Sequence, residues 1–320
     1  MSALCHSFFD RSFFSPHDSK QDVDIFVDSM RSFLTVCCLS LLVCSATCQF
    51  LDLARLEHTY VPGHDANFEY QRTEFVFNYP FKVKEDAYLF AGIEYSNIRF
   101  RFHEEVDSFD KNETDDFTLV DLNFTYTFPL KNDWRFALQV SPGVSSNFES
   151  GFEQGDWVFS SVLAFIRDRK GSDKVKKPNR IIIGAAYSGN SGIQFPIPFI
   201  RYYRKFRPKW SYNVGAPITN LQWHASERFR FKLFAGLDGF NANLQRDQIT
   251  ESGQRANRLR LNMLLAGTRY EYKFSDHIES FITITRSFNS VVQLRNGRDR
   301  VLRLPADNVM HYRAGIRCKI

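Results

Sequence analysis

Ten basic side chains carry the clearest chemical suggestion in this sequence. Arg228, Arg230 and Lys232 alternate with Phe229, Phe231 and Leu233, so cations and apolar groups fall on opposite sides of an extended chain. The same polar parity collects Arg99, Arg101, Arg135, Arg258, Arg260, Arg313 and Arg317, and Glu74, Glu94 and Asp121 join them. If these side chains share one enclosed, wet space, its lining is cationic and favours small anionic solutes. The competing arrangement is a set of Arg–Glu pairs that fills the space and conducts little.

Catalytic chemistry has weaker support. A nucleophile, a base and an orienting partner must converge, and His58, His64, His103, His224, His277 and His311 are the histidines beyond residue 48. None stands at a spacing from a serine or carboxylate that compels a triad or dyad, so no catalytic residue is assigned. A lipid-acting enzyme with a site assembled across strands stays open as an alternative. Asp107, Asp110, Asp115 and Asp116 lack the Asp-x-Asp-x-Asp-Gly order of a calcium loop, and Gly171-Ser172-Asp173-Lys174 lacks the upstream glycine of a phosphate loop. Neither a metal nor a cofactor is expected.

The elements that must position the basic residues are strands. From Phe75 onward, segments of about ten residues alternate apolar and polar side chains, the pattern of a sheet wet on one face only. Phe75, Phe77, Tyr79 and Phe81 interleave with Glu74, Asn78 and Lys82. Strands are expected near 67–82, 87–102, 117–129, 134–143, 156–167, 180–187, 195–205, 210–215, 219–225, 228–239, 258–273, 278–288 and 309–319. With 53–60 added the total is about fourteen, or about twelve if the short pair within 210–225 is absent. Tight connections at 83–86, 131–133, 207–209, 226–227 and 275–277 alternate with longer polar ones at 103–116, 145–155, 188–193, 241–257 and 289–308. The basic stretch 168–178 breaks that alternation. Short turns on one rim and long loops on the other are the habit of a transmembrane antiparallel β-barrel, in which closure hides every strand edge. Trp134, Trp157, Trp210 and Trp223 fall near strand ends, where rings meet lipid headgroups.

Composition agrees. The mean hydropathy of −0.33 excludes a bundle of membrane helices but not a barrel, whose strands are half polar. The 33 Phe residues supply the greasy faces. A net charge of +5 without a Lys/Arg tract gives nucleic-acid binding no support.

Residues 30–48 read as a secretory signal: Arg31, an apolar run over 33–43, then Ser45-Ala46-Thr47-Cys48 before a cut. Residues 1–29 carry Asp10, Asp18, Asp22, Asp24 and Asp28, the wrong sign for a signal's leading segment, and read as an over-extended, disordered N-terminus. The expected mature barrel is 49–320, and Cys318 is its one cysteine, which excludes a disulfide framework.

The runs Asn78-Tyr79-Pro80-Phe81-Lys82-Val83 and Pro129-Leu130-Lys131-Asn132-Asp133-Trp134 carry a resemblance. So does Phe195-Pro196-Ile197-Pro198-Phe199-Ile200-Arg201-Tyr202-Tyr203, leading to Trp210 and Gly215-Ala216-Pro217. Over about 55–320 the chain resembles an uncharacterised outer-membrane β-barrel family of Bacteroidota, classed as a domain of unknown function. The resemblance implies a cell outer membrane address in a Gram-negative bacterium and no particular activity. The partners expected of such a chain are outer-membrane lipid and lipopolysaccharide, the barrel-assembly machinery during insertion, and small anionic solutes.

Overall fold

The computed structural model describes residues 52–63, 68–102, 114–169, 177–189, 195–250, 253–297, 299–305 and 308–319. The expected signal at 30–48, the stretch 1–29, His64, His103, Asp107, Asp110 and 171–174 lie outside the described residues. Sixteen strands follow in chain order: β1 Asp52–Val61, β2 Phe68–Lys84, β3 Ala87–Phe102, β4 Asp116–Pro129, β5 Trp134–Ser146, β6 Trp157–Asp168, β7 Asn179–Ser188 and β8 Ile197–Arg207. Then come β9 Trp210–Gly215, β10 Ile218–His224, β11 Phe229–Ile249, β12 Arg255–Lys273, β13 Ile278–Ser287, β14 Val291–Asn296, β15 Asp299–Pro305 and β16 Met310–Lys319.

Fourteen of them, β1–β13 and β16, form a closed antiparallel barrel. Each strand pairs with the next, β13 passes to β16, and β16 pairs with β1 from Leu56↔Ile316 to Tyr60↔Tyr312. The short pair β9–β10 is fully in the wall, with Trp223↔Trp210 and Asn220↔Asn213 in register, so the count of twelve does not apply.

Burial runs opposite to a water-soluble protein. On β2, Phe75, Phe77 and Tyr79 are exposed, whereas Glu74, Val76 and Asn78 are buried. On β13, Ile278, Ile282 and Ile284 face out while Glu279, Phe281 and Thr283 face in. The period of two turns each strand's polar side chains into the barrel and its aromatic ones away from it, which is stable only against a hydrocarbon surround. Trp134 and Trp210 begin β5 and β9 on the tight-turn rim, where Trp210 stacks on Trp223 at 6.3 Å. Trp157 opens β6 at the other rim.

Two stretches expected as loops, 241–257 and 289–308, are instead mostly strand. β11 continues to Ile249, β12 starts at Arg255, and β14 and β15 form a hairpin on the first half of β12, with Leu259↔Leu294 and Leu261↔Val292 in register. This part of the sheet leaves the wall. Gly239, at φ +149, marks the departure, and a Cβ there would lie 2.1 Å from the Leu261 carbonyl, so only glycine fits. Beyond it β11 reaches across the mouth to β5, where Asn243 meets Ser146. The four-stranded flap therefore lies over the lumen at the rim opposite the tight turns. Its many Asn and Arg residues gave 241–257 and 289–308 a polar average that hid the alternation of Phe240, Ala242 and Leu244.

Candidate functional site

The lumen is charged at one end and apolar at the other. Near the tight-turn rim the fully buried Glu271 accepts from Arg230, Lys232 and, at 2.9 Å, Arg317. Glu279 accepts from Arg230 at 3.0 Å, Lys319 at 2.8 Å and Arg317. These bonds skip strands, from β11 to β13 and from β16 to β12, which requires all of the side chains to face the same interior. Higher up, Glu74 takes Arg55 and Arg72, while Asp238 takes Arg313 and lies 3.8 Å from Arg72. Asp238 belongs to β11 and its partners to β16 and β2, so this pairing spans the lumen. Buried pairs of this kind contribute little net stability, but losing one partner is costly.

Beside the Asp238–Arg313 pair lies a cavity of about 50 Å³ whose polar lining is Thr59, Asp238, Arg269, Thr283, Thr285, His311 and Arg313. Arg269 donates its Nε to Thr283 Oγ1 at 2.9 Å and lies 4.6 Å from the Phe281 ring centre. His311 is buried, and neither ring nitrogen has a hydrogen-bond partner.

Above the cavity the interior becomes a hydrophobic core. Inward residues of the wall, among them Phe68, Tyr70, Phe100 and Phe117, pack with Phe240, Leu244, Leu259, Leu261, Val292 and Leu294 of the flap. Tyr70 and Phe240 stack at 6.1 Å, and Phe117 lies 5.7 Å from Phe240. The other face of the flap is held by polar bonds. Ser145 Oγ donates to the Asn241 carbonyl at 2.8 Å, and Asn241 Nδ2 donates to the Gly189 carbonyl at 3.0 Å. Asn243 and Gln245 both donate to Asp156 at 2.8 Å. Asp156 sits in a short 3₁₀ turn, Gln154–Asp156, between β5 and β6. Burial by itself pushes the Asp156 carboxyl up, but hydrogen bonds from Ser146, the Glu153 amide, Asn243 and Gln245 outweigh it and hold it below the usual carboxylate range.

The ten basic residues selected from the sequence do not form one lining. Arg230, Lys232, Arg313 and Arg317 are in the lumen, each engaged by a carboxylate. Arg135 is on the inward parity of β5 and donates to the Asp86 carbonyl at 2.8 Å. Arg228 lies exposed in the turn before β11. Arg258 and Arg260 belong to the flap rather than the wall, and donate to Gly155 O at 3.4 Å and Asn241 Oδ1 at 3.5 Å. Arg99 and Arg101 point outward, a correction to the sequence parity. They alternate with Ile98, Phe100 and Phe102, which are buried in the flap core, and Arg99 pairs with Asp116 at 3.3 Å. At the end of β3 the outward side meets water and the inward side meets the flap, so polarity there reports the wrong face.

Arg55, Arg72, Arg269, Glu57, Asp238, Glu271 and Glu279 were not singled out by sequence, although Glu271 and Glu279 stand on the same period-two parity as Arg269 and Arg317. A nucleophile–base contact does occur: Ser211 Oγ is 2.9 Å from His224 Nε2 across β9 and β10. Among the described residues no carboxylate bonds to His224, so the pair lacks the orienting member of a triad. Nor do the described residues include a His/Cys/Asp/Glu trio placed to hold a metal.

A ring of fourteen strands with an apolar exterior, an ion-paired interior and an inward flap defines the class: a transmembrane-type β-barrel. Residues 62–299 match the family described as a domain of unknown function, DUF6268, and the chain belongs to that family. Among solved structures it is similar to the NanC porin, at 11% identity and a TM-score of 0.38, over 83% of this chain and 100% of that one. It is similar also to the toluene transporter TodX of Pseudomonas putida, at 11% identity and 0.30, over 88% and 93%. For OmpT, an outer membrane protein of Vibrio cholerae, the values are 10% and 0.22, over 86% and 100%. At such TM-scores these likenesses bear no weight on function; the fold rests on the strand pairing itself. No curated protein matches the chain.

Proposed function

We propose that this protein is an outer-membrane barrel of a Gram-negative bacterium that passes small solutes through a lumen narrowed by its own flap. The observation that carries this reading is the mismatch between wall and flap. Fourteen strands enclose more space than side chains alone fill, and the chain spans that space with a sheet held to β5–β7 by a few polar bonds. A swing of that sheet would expose its apolar core with β2–β4 but would leave the ring unbroken. The flap rim would face outward beside lipopolysaccharide, and the tight turns the periplasm, after insertion by the barrel-assembly machinery.

Planar-bilayer recordings test the proposal. The whole protein should give small, brief conductances, and deletion of the hairpin 291–305 should raise them several-fold. A double substitution Ser145→Ala, Asn241→Ala, which leaves every wall strand intact, should raise the open fraction. Silence in all three would defeat the channel. The apolar core between flap and wall favours a second reading, a closed barrel whose outer surface binds a partner or an envelope lipid. Liposomes that stay impermeable to small dyes with or without the hairpin would support it.

A further inference from the structure

On the side of the lumen formed by β1, β2, β11 and β16 the inward cations below the flap are matched by carboxylates, but the cavity lining beside them breaks the pattern. Among the described residues Arg269 forms no salt bridge, and Glu271 and Glu57 act on it only at longer range; it bonds to the Thr283 hydroxyl and lies between the rings of Phe281 and Phe234, at 4.6 and 5.6 Å. His311 is 97% buried (3% exposed) with two unbonded ring nitrogens, and a neutral imidazole always has one N–H to give. The hydroxyls add to this surplus of donors. Thr59 Oγ1 accepts from Arg313 Nε at 2.8 Å and Thr283 Oγ1 accepts from Arg269, so the O–H of each is left to donate elsewhere. The one carboxylate in the lining, Asp238, is already occupied by Arg313, Arg72 and the Gly239 amide, the last at 2.7 Å.

We infer that this cavity is a binding site for a small oxyanion, of the size of nitrate, formate or another short carboxylate. Its volume of about 50 Å³ admits a few heavy atoms. The Arg269 guanidinium offers paired donors to a planar anion, His311 and the threonine hydroxyls complete the shell, and Phe234 and Leu265 close the apolar side. The site names the solute class for the channel proposed above and in that respect rests on it, but binding is measured without current, so the two ideas fail separately.

The test is calorimetric titration of nitrate and formate into the purified full barrel in detergent. Saturable binding is expected at one site, weakened about tenfold or more by Arg269→Gln. Thr283→Val, which keeps the shape of the side chain, should weaken it several-fold even if Arg269→Gln does not fold. Arg99→Gln, on the outer side of β3, should leave it unchanged. A bromide soak should place an anomalous peak between Arg269 and His311. Water alone in the cavity, no saturable binding, or binding indifferent to both lumen substitutions would overturn the inference. Binding without conductance would keep the site and defeat the channel.

Discussion

Along β2 the inward side chains change from Asn78, Val76, Glu74 and Arg72 near the tight turns to Tyr70 and Phe68 at the other rim. Along β3 they change from Glu94 and Ser96 to Ile98, Phe100 and Phe102, and β4 shows the same reversal from Asn123 and Asp121 to Leu119 and Phe117. One half of the lumen is therefore cross-linked by charges and the other is an ordinary protein core. The two halves hold different things in place. The ionic half ties wall strands to one another and fixes their relative order; the apolar half exists only because β11, β12 and β14 bring their own apolar faces to it. An inward aromatic cluster in an open pore would stand in water and cost free energy for every ring. Here the chain covers it itself.

Substitutions that attack each half separately sharpen this contrast. The largest effect is expected from Glu271→Gln, which leaves Arg230, Lys232 and Arg317 facing one another without their shared carboxylate. Breaking a buried pair of this kind costs about 3–5 kcal/mol. Urea unfolding of the refolded barrel in detergent should show an early loss of the whole ring; a midpoint equal to wild type would contradict the role given to Glu271.

Phe240→Ala should remove about 3 kcal/mol from the flap core. Unlike Glu271→Gln it should leave the ring resistant to urea and instead speed hydrogen exchange in 255–262 and lengthen channel openings. If the ring and flap lose protection together, the two halves are one cooperative unit and the contrast drawn here is wrong.

Acidification should loosen the flap through Asp156. Asp156 is held below its ordinary value, so its contribution is present above the unfolded carboxylate range and disappears as pH falls through the lowered value. Flap exchange should accelerate below about pH 4. Asp156→Asn should show fast exchange at neutral pH with little further response to acid, and a normal acid response in that variant would place the effect elsewhere. The smallest effect belongs to Arg99→Gln. Its half-exposed pair with Asp116 contributes about 0–0.5 kcal/mol, so unfolding should be unchanged within error.

The wall was legible because each of its strands meets lipid on one side, which forces a period of two that survives any lumen chemistry. The strand expected at 53–60 and the short pair within 210–225 are both present for that reason. The flap was not legible, since neither of its faces touches lipid. Its apolar face meets a protein core and its polar face meets β5–β7, so 241–257 and 289–308 average to the composition of a loop. The misassigned Arg99 and Arg101 have the same origin, because above the lipid belt the outward face of β3 is wet.

The sequence by itself determined the ring: alternation, the spacing of tight turns and the aromatic strand ends leave few ways to hide so many edges. It also supplied the cations of the lumen without revealing their partners. Only the tertiary structure decided that Arg230, Lys232 and Arg317 share Glu271, that Asp238 is spent on Arg313 and Arg72, and that Arg269 and His311 face a cavity with donors to spare. Pairing across a lumen joins residues tens to hundreds of positions apart, such as Asp238 to Arg313 and to Arg72, and depends on where Gly239 lets the sheet turn inward. No local pattern encodes that distance.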